Sequence, residues 1–336
     1  MLMPPLANLV TRTYIASVDP ATSGARTNGW YGQRGWYAQL AQDRCLAALF
    51  AGSRQKGYYV DLAANDAIML SNTYYLDRNL TWRGLCIEPN PAYLANHLSQ
   101  RTCDVAQLVV SSSEKAATQG KVRFRFSGEN GGVLASEAAE SALKKKILQR
   151  YKNDTRNKRF VHMINSQFAR VSVVDIATVL RAANAPRHID YLSLDVEGSE
   201  YEVMSSFPWH AHEIDVLTIE RPPPELHRLM MAHGYCVRAM FGNEVADVLY
   251  IRSEATRAGE RIATRRFRPA TTTPAGEPII RRLGDPRAIP CYSPKPLSKS
   301  VNAYFERSDW CLEREKLSVE SVPRRISPVA TAHGAR

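Results

Sequence analysis

The chain has 336 residues, 44 % of them hydrophobic and 23 % charged, which excludes disorder throughout and gives length for one large domain or two small ones. Its formal charge of +11 is uneven: residues 252–336 carry 17 basic and 9 acidic side chains, a net +8, leaving +3 for the rest. A basic tail attracts nucleic acid, anionic membrane or phosphorylated metabolites in general, and a merely solvated tail is the commoner case.

Residues 1–30 mix Pro, Gly, Thr and Asn without periodicity and read as an irregular arm. They hold no apolar run long enough for a secretory signal or a membrane span, so the expectation is a soluble, cytoplasmic protein. Six widely spaced cysteines (Cys45, Cys86, Cys103, Cys236, Cys291 and Cys311) form no CxxC pair and read as ordinary thiols in a reducing compartment. A helix is expected over residues 35–51, where Trp36, Leu40, Leu46, Leu49 and Phe50 recur at near-helical intervals.

From Gly57 the texture alternates: GYYVDLA, DAIMLSNTYYLDRNL, GLCIEP, PAYLANHLSQR and VAQLVV read as strand, helix, strand, helix, strand. Strands apolar at nearly every position belong to parallel sheets covered on both faces, so the domain is α/β and doubly wound. After an insertion at residues 111–170, the register resumes with IDYLSLDVEG, a helix over residues 200–207, IDVLTIE, a helix over residues 224–232, then GYCVRAM and VADVLYI. The insertion holds an alternating strand, VRFRF, a glycine turn and a basic run at residues 144–159; it is expected to build a wall above the sheet edge, or simply a solvated face.

Only FGNE separates the last two strands, too short for a parallel crossover, so they must be antiparallel. A mostly parallel sheet ending in an antiparallel hairpin, with helices on both faces, is the Rossmann-like class I methyltransferase form; a dinucleotide-binding domain keeps its strands parallel. The expected organisation is an arm and helix (1–56), the α/β domain (57–253) with its insertion, and a basic, poorly ordered tail (254–336).

Three acidic positions end predicted strands. Asp61 opens the small-residue turn DLAANDA, where small side chains let backbone approach a ligand, although such turns are also common structure. Glu88, in GLCIEPNP, stands where a carboxylate accepts both hydroxyls of a ribose, while Asn90 suits the cap of the next helix. Asp195, Glu197 and Glu200 follow the fourth main strand, and Glu220 closes the fifth. Carboxylates on one crevice suit a sulfonium cofactor, a divalent metal or a general base. A magnesium ion on Asp195 and Glu220 is conceivable, but strand position alone is thin support and no metal is assigned. His210 and His212 are expected on a surface turn.

The combination of YVDLAANDAIMLSNTYYL, WRGLCIEPNP at residues 82–91, RTC at 101–103 and DVEGSE at 195–200 resembles the FkbM family of S-adenosylmethionine-dependent methyltransferases over roughly residues 57–251. The resemblance implies the class I fold, S-adenosylmethionine as cofactor, and O-methylation of a sugar or secondary metabolite. It assigns Asp61, Ala63, Asn65 and Asp66 to the cofactor turn, Glu88 and Asn90 to the nucleoside, and Asp195 with Glu197 to catalysis. The sequence departs from the family's VD-x-GAN-x-G at Ala63 and Ala67, which replace both glycines. If either needs a positive φ, alanine costs about 1 kcal/mol there.

The leading expectation is therefore an O-methyltransferase acting on a small hydroxylated acceptor. The rival is a non-catalytic methyltransferase-like module whose basic tail binds an acidic partner. A nucleic-acid methyltransferase is disfavoured, because no [DNS]PP[YF] strand end and no aromatic-rich base platform occurs. The terminal hairpin argues against a nicotinamide dehydrogenase.

Overall fold

The computed structural model describes residues 35–50, 56–127, 131–151, 166–241 and 247–252. The expected irregular arm and basic tail lie outside them, as does the tip of the terminal hairpin. Eleven strands and eight helices are formed among the described residues: α1 (Gln42–Phe50), β1 (Tyr58–Leu62), α2 (Tyr74–Arg78), β2 (Arg83–Ile87), α3 (Pro91–Gln100), β3 (Asp104–Ala106), β4 (Val109–Ser111), α4 (Ser113–Gln119), β5 (Lys121–Phe126), β6 (Gly132–Leu134), α5 (Glu137–Tyr151), β7 (Gln167–Asp175), α6 (Ile176–Ala182), β8 (His188–Leu194), α7 (Glu200–Ser205), β9 (Glu213–Glu220), α8 (Pro224–Ala232), β10 (Tyr235–Phe241) and β11 (Asp247–Arg252).

The main sheet has the order β3-β2-β1-β8-β9-β11-β10. β1 pairs in parallel with β2 and β8, β2 with β3 and β8 with β9, whereas β11 runs antiparallel to both β9 and β10. Insertion of the last strand between its two predecessors is the class I methyltransferase arrangement. The strand order reverses beside β1, so the C-terminal ends of β1 and β8 open a crevice there.

Alternation along each strand divides the core. Val60 and Leu62 of β1 join Leu192, Leu194 and the buried faces of α6, α7 and α8. Tyr59 and Tyr191 point the other way, into a second cluster with Cys45, Leu46, Leu49 and Phe50 of α1. Gly84 is a packing necessity here: a Cβ on it would lie 2.4 Å from the Tyr59 ring.

Several expectations are corrected. VAQLVV is two strands, because β4 leaves the main sheet to pair in parallel with β7. The insertion builds a second sheet, β4-β7-β5-β6. The helix expected after Asp66 shrinks to Tyr74–Arg78: Asp66 accepts the N–H groups of Ile68 and Met69 at 2.9 and 2.8 Å, and Leu70 takes a φ of 62°, both of which favour a turn. His212 is buried, bonded through Nδ1 to the Pro186 carbonyl at 2.9 Å, while His210 is exposed.

The thiol expectation fails as well. Cys86 and Cys103 form a disulfide with Cα atoms 6.0 Å apart, and Cys45 and Cys236 are also disulfide-bonded. Cys86 lies on β2 and Cys103 just before its neighbour β3, an adjacency set by sheet pairing rather than by chain spacing. The inference of a reducing compartment loses its basis. Among the described residues, no helix is long and apolar enough to cross a membrane.

Candidate active site

The β1–α2 turn is held in an unusual backbone shape. Ala63 and Asn65 have φ values of 59° and 50°, in the left-handed region. The turn is anchored to β2, for the Ala64 N–H donates to the Ile87 carbonyl at 3.1 Å and the Asn65 N–H donates to Glu88 Oε2 at 2.8 Å. The other carboxylate oxygen, Oε1, accepts the Asn90 N–H at 2.7 Å. Each oxygen keeps lone-pair capacity for a further donor. Burial pushes the Glu88 carboxyl up to about 7 despite these two donors, with the Asp61 charge adding to the rise.

Asn90 also caps α3, its side chain accepting the Ala92 N–H at 3.1 Å. Ala63, Asn65, Glu88 and Asn90 all line one cavity. Asp66 does not; its carboxylate is spent on the turn. Asp61 does not either. It shares the strand face of Tyr59, opposite Leu62, and its buried carboxylate accepts from Thr73 Oγ1 at 2.5 Å and from Ser193.

Behind Asp61 lies a group that motif reading passed over. Arg101 is fully buried, with Nε on Asp77 at 3.3 Å, Nη1 on the Ala67 carbonyl at 3.0 Å, and Nη2 on Tyr59 Oη and Thr73 Oγ1 at 3.0 and 2.6 Å. It ties β1, the turn and α2 together from below. Its place in RTC was the available signal.

The loop after β8 brings Asp195 and Glu197 to the same cavity. Glu197 is left-handed at 55°, and Glu200 steadies this loop by accepting the N–H groups of Val196 and Gly198 at 3.1 and 3.0 Å. One oxygen each of Asp195, Glu197 and Glu220 lie within 4.8 Å of one another. Desolvation in the cavity, then the hydrogen bond and charge of Glu220, hold the Asp195 carboxyl well above the usual carboxylate range. Desolvation and Glu220 also raise Glu197, opposed by Arg221. Arg221 bonds Glu220 at 2.6 Å and Glu197 at 3.3 Å, placing one positive charge beside the three carboxylates.

The remaining wall comes from the insertion. Phe124, Phe126, Ser127, Gly132 and Val133 line the crevice together with Ile87, Leu108 and Val110. The cavity is partly open to solvent. No lysine or arginine lines it among the described residues. Apolar walls and three carboxylates, Glu88, Asp195 and Glu197, on one cavity form an acceptor set with the chemistry to fit an adenosine carrying a cationic group.

The sequence pattern of a family described as "Methyltransferase FkbM domain" matches residues 61–237. The solved structure of a precorrin-6y C5,15-methyltransferase from Geobacter metallireducens GS-15 is similar at 14 % identity, covering 66 % of this chain and 93 % of that one with a TM-score of 0.31. So low a score carries no argument. No curated protein matches.

Proposed function

The chain belongs to the FkbM methyltransferase family, and on that premise we propose that it is an S-adenosylmethionine-dependent O-methyltransferase acting on a hydroxyl of a small molecule, a sugar or a secondary metabolite. The observation that carries this reading is the position of Glu88, pinned by two backbone N–H groups at the end of β2 and lining one cavity with Asp195 and Glu197. S-Adenosylmethionine, when bound, supplies an electrophilic methyl group on a sulfonium.

The residues divide the work. Glu88 accepts from ribose hydroxyls, while Ala63, Asn65 and Asn90 shape the wall beside it. Asp61 and Asp66 support the turn from outside the cavity rather than touching a ligand. Burial beside Glu220 raises the Asp195 carboxyl, and a cation in the cavity favours the carboxylate form that takes the acceptor's hydroxyl proton. Glu197 is steadied by Arg221 and faces the acceptor from the same loop. Among the described residues the cavity is lined by acids and by no lysine or arginine, which suits a neutral or cationic acceptor. The disulfides support an oxidising compartment over the cytoplasm.

Calorimetry with S-adenosylmethionine, followed by mass spectrometry of a metabolite extract incubated with both, tests the proposal; products heavier by one methylene unit are expected. The rival, a non-catalytic module, is favoured by one observation: the Ala63 methyl lies on the cavity wall where the family's pattern has glycine. Folded protein that binds no S-adenosylmethionine would establish that rival.

A further inference from the structure

The two hydrogen bonds of the Asn65 peptide run in opposite directions. Its N–H goes to Glu88 Oε2 at 2.8 Å, and its carbonyl is met by Nε2 of His97 at 2.8 Å. His97 is fully buried on α3, and α3 begins at Asn90, whose own N–H holds the other Glu88 oxygen. The contacts close a ring: Glu88 to Asn65, Asn65 to His97, along α3 to Asn90, and back to Glu88.

We propose that His97 is a positioning residue for this cavity, its Nε2–H fixing the left-handed Asn65 peptide and, through it, the Glu88 carboxylate. The proposal rests on the reading of Glu88 as the ribose ligand. A carbonyl oxygen only accepts, so Nε2 must carry the proton and Nδ1 the lone pair. Burial and the Arg101 charge push the His97 pKa down to about 4, which keeps the ring neutral at physiological pH. Nδ1 is buried without a hydrogen-bond partner. An aliphatic side chain would avoid that unpaired nitrogen but would leave the Asn65 carbonyl without this donor. What the imidazole alone supplies is the N–H aimed at Asn65.

The test compares His97→Leu, which removes the donor, with His97→Gln, whose amide nitrogen reaches the same place; His97→Met substitutes for leucine if that variant does not fold. Hydrogen exchange at the Asn65 amide, the Kd for S-adenosylmethionine and thermal melting are measured on each. Loss of the donor should speed Asn65 exchange and weaken cofactor binding by about tenfold each, with little change in melting, and glutamine should restore most of both. Asn65 exchange equal in all variants, glutamine as defective as leucine, or affinity lost only in step with melting would overturn the proposal. Wild-type protein that binds no S-adenosylmethionine refutes the assignment of Glu88 instead, and Asn65 exchange alone then decides the role of His97.

Discussion

Replacing Ala63 by glycine should stabilise this protein, the opposite of the usual effect of introducing glycine. Ala63 sits at a φ of 59°, where an L-residue pays roughly 1–2 kcal/mol for the crowding of Cβ against the carbonyl. Glycine removes that cost but adds about 0.4–1 kcal/mol of unfolded-state entropy. The net gain is about 0.5–1 kcal/mol, which for a domain of this size raises Tm by about 1–4 °C. Ala67 provides the control. It is fully buried, lies outside the left-handed region and offers its carbonyl to Arg101, so glycine there deletes a packed methyl and loosens the chain. Ala67→Gly should cost about 1 kcal/mol or more. Thermal and urea melts of both variants decide: Ala63→Gly melting at or below wild type, or Ala67→Gly melting above it, refutes the backbone argument. Because Ala63 lines the cavity, its glycine variant should bind S-adenosylmethionine at least as tightly as wild type.

Three other outcomes are expected. Glu88 is raised from 4.5 to about 7 on folding, so the native state holds the extra proton and stability falls as pH rises from about 4.5 to 7, by about 3 kcal/mol from this group; urea melts at pH 5 and 8 should show a drop that Glu88→Gln flattens, and equal slopes in the two proteins would contradict it. Arg101→Met leaves the Asp77 and Asp61 carboxylates buried beside no counter-charge and should cost about 3–5 kcal/mol, whereas a loss below about 1 kcal/mol in chemical denaturation would show the hub to be unimportant. Non-reducing peptide mapping should recover Cys86 linked to Cys103, and the paired alanine variant should lose about 3 kcal/mol for a loop of 17 residues; free thiols in protein folded under oxidising conditions would refute the bond.

The strand-helix alternation and the terminal hairpin were legible because both depend on local information: apolar runs, and a connection too short to cross over. Pairing partners were not. VAQLVV looks like one strand until β7 supplies a second edge for its last residues, and Cys86 meets Cys103 only once β2 and β3 lie side by side. Asp61 could have been placed correctly, since period-two alternation puts it with Tyr59 and away from Val60 and Leu62. The motif's position outweighed that signal. Glu88 lines the cavity, a position legible from its place at the end of a strand. His97 had no legible sign: its partner is a backbone carbonyl 32 residues away, and carbonyls leave no mark in a sequence.

The same asymmetry explains where the fold accepts strain. Of the eight non-glycine residues with positive φ among those described, Ala63, Asn65 and Glu197 line the cavity, and Arg221 grips Glu197. Each departure is held by bonds from a relaxed element: Ala64 to β2, Asn65 between Glu88 and His97, the Glu197 loop by Glu200 at the start of α7. Strain persists only where its surroundings over-determine it. Beneath the turn, the Arg101 hub supplies that rigidity with a buried charge whose carboxylate and hydroxyl partners come from β1, the segment leading into α2, and α2 itself. The family's glycine at position 63 would make the turn cheap in energy; alanine makes it depend on this scaffold. Weakening the hub should therefore open the cofactor turn before it unfolds the sheet, so Arg101→Met at low denaturant should lose S-adenosylmethionine binding earlier than its tryptophan fluorescence transition, and coincident losses would show the turn and the core to be one cooperative unit.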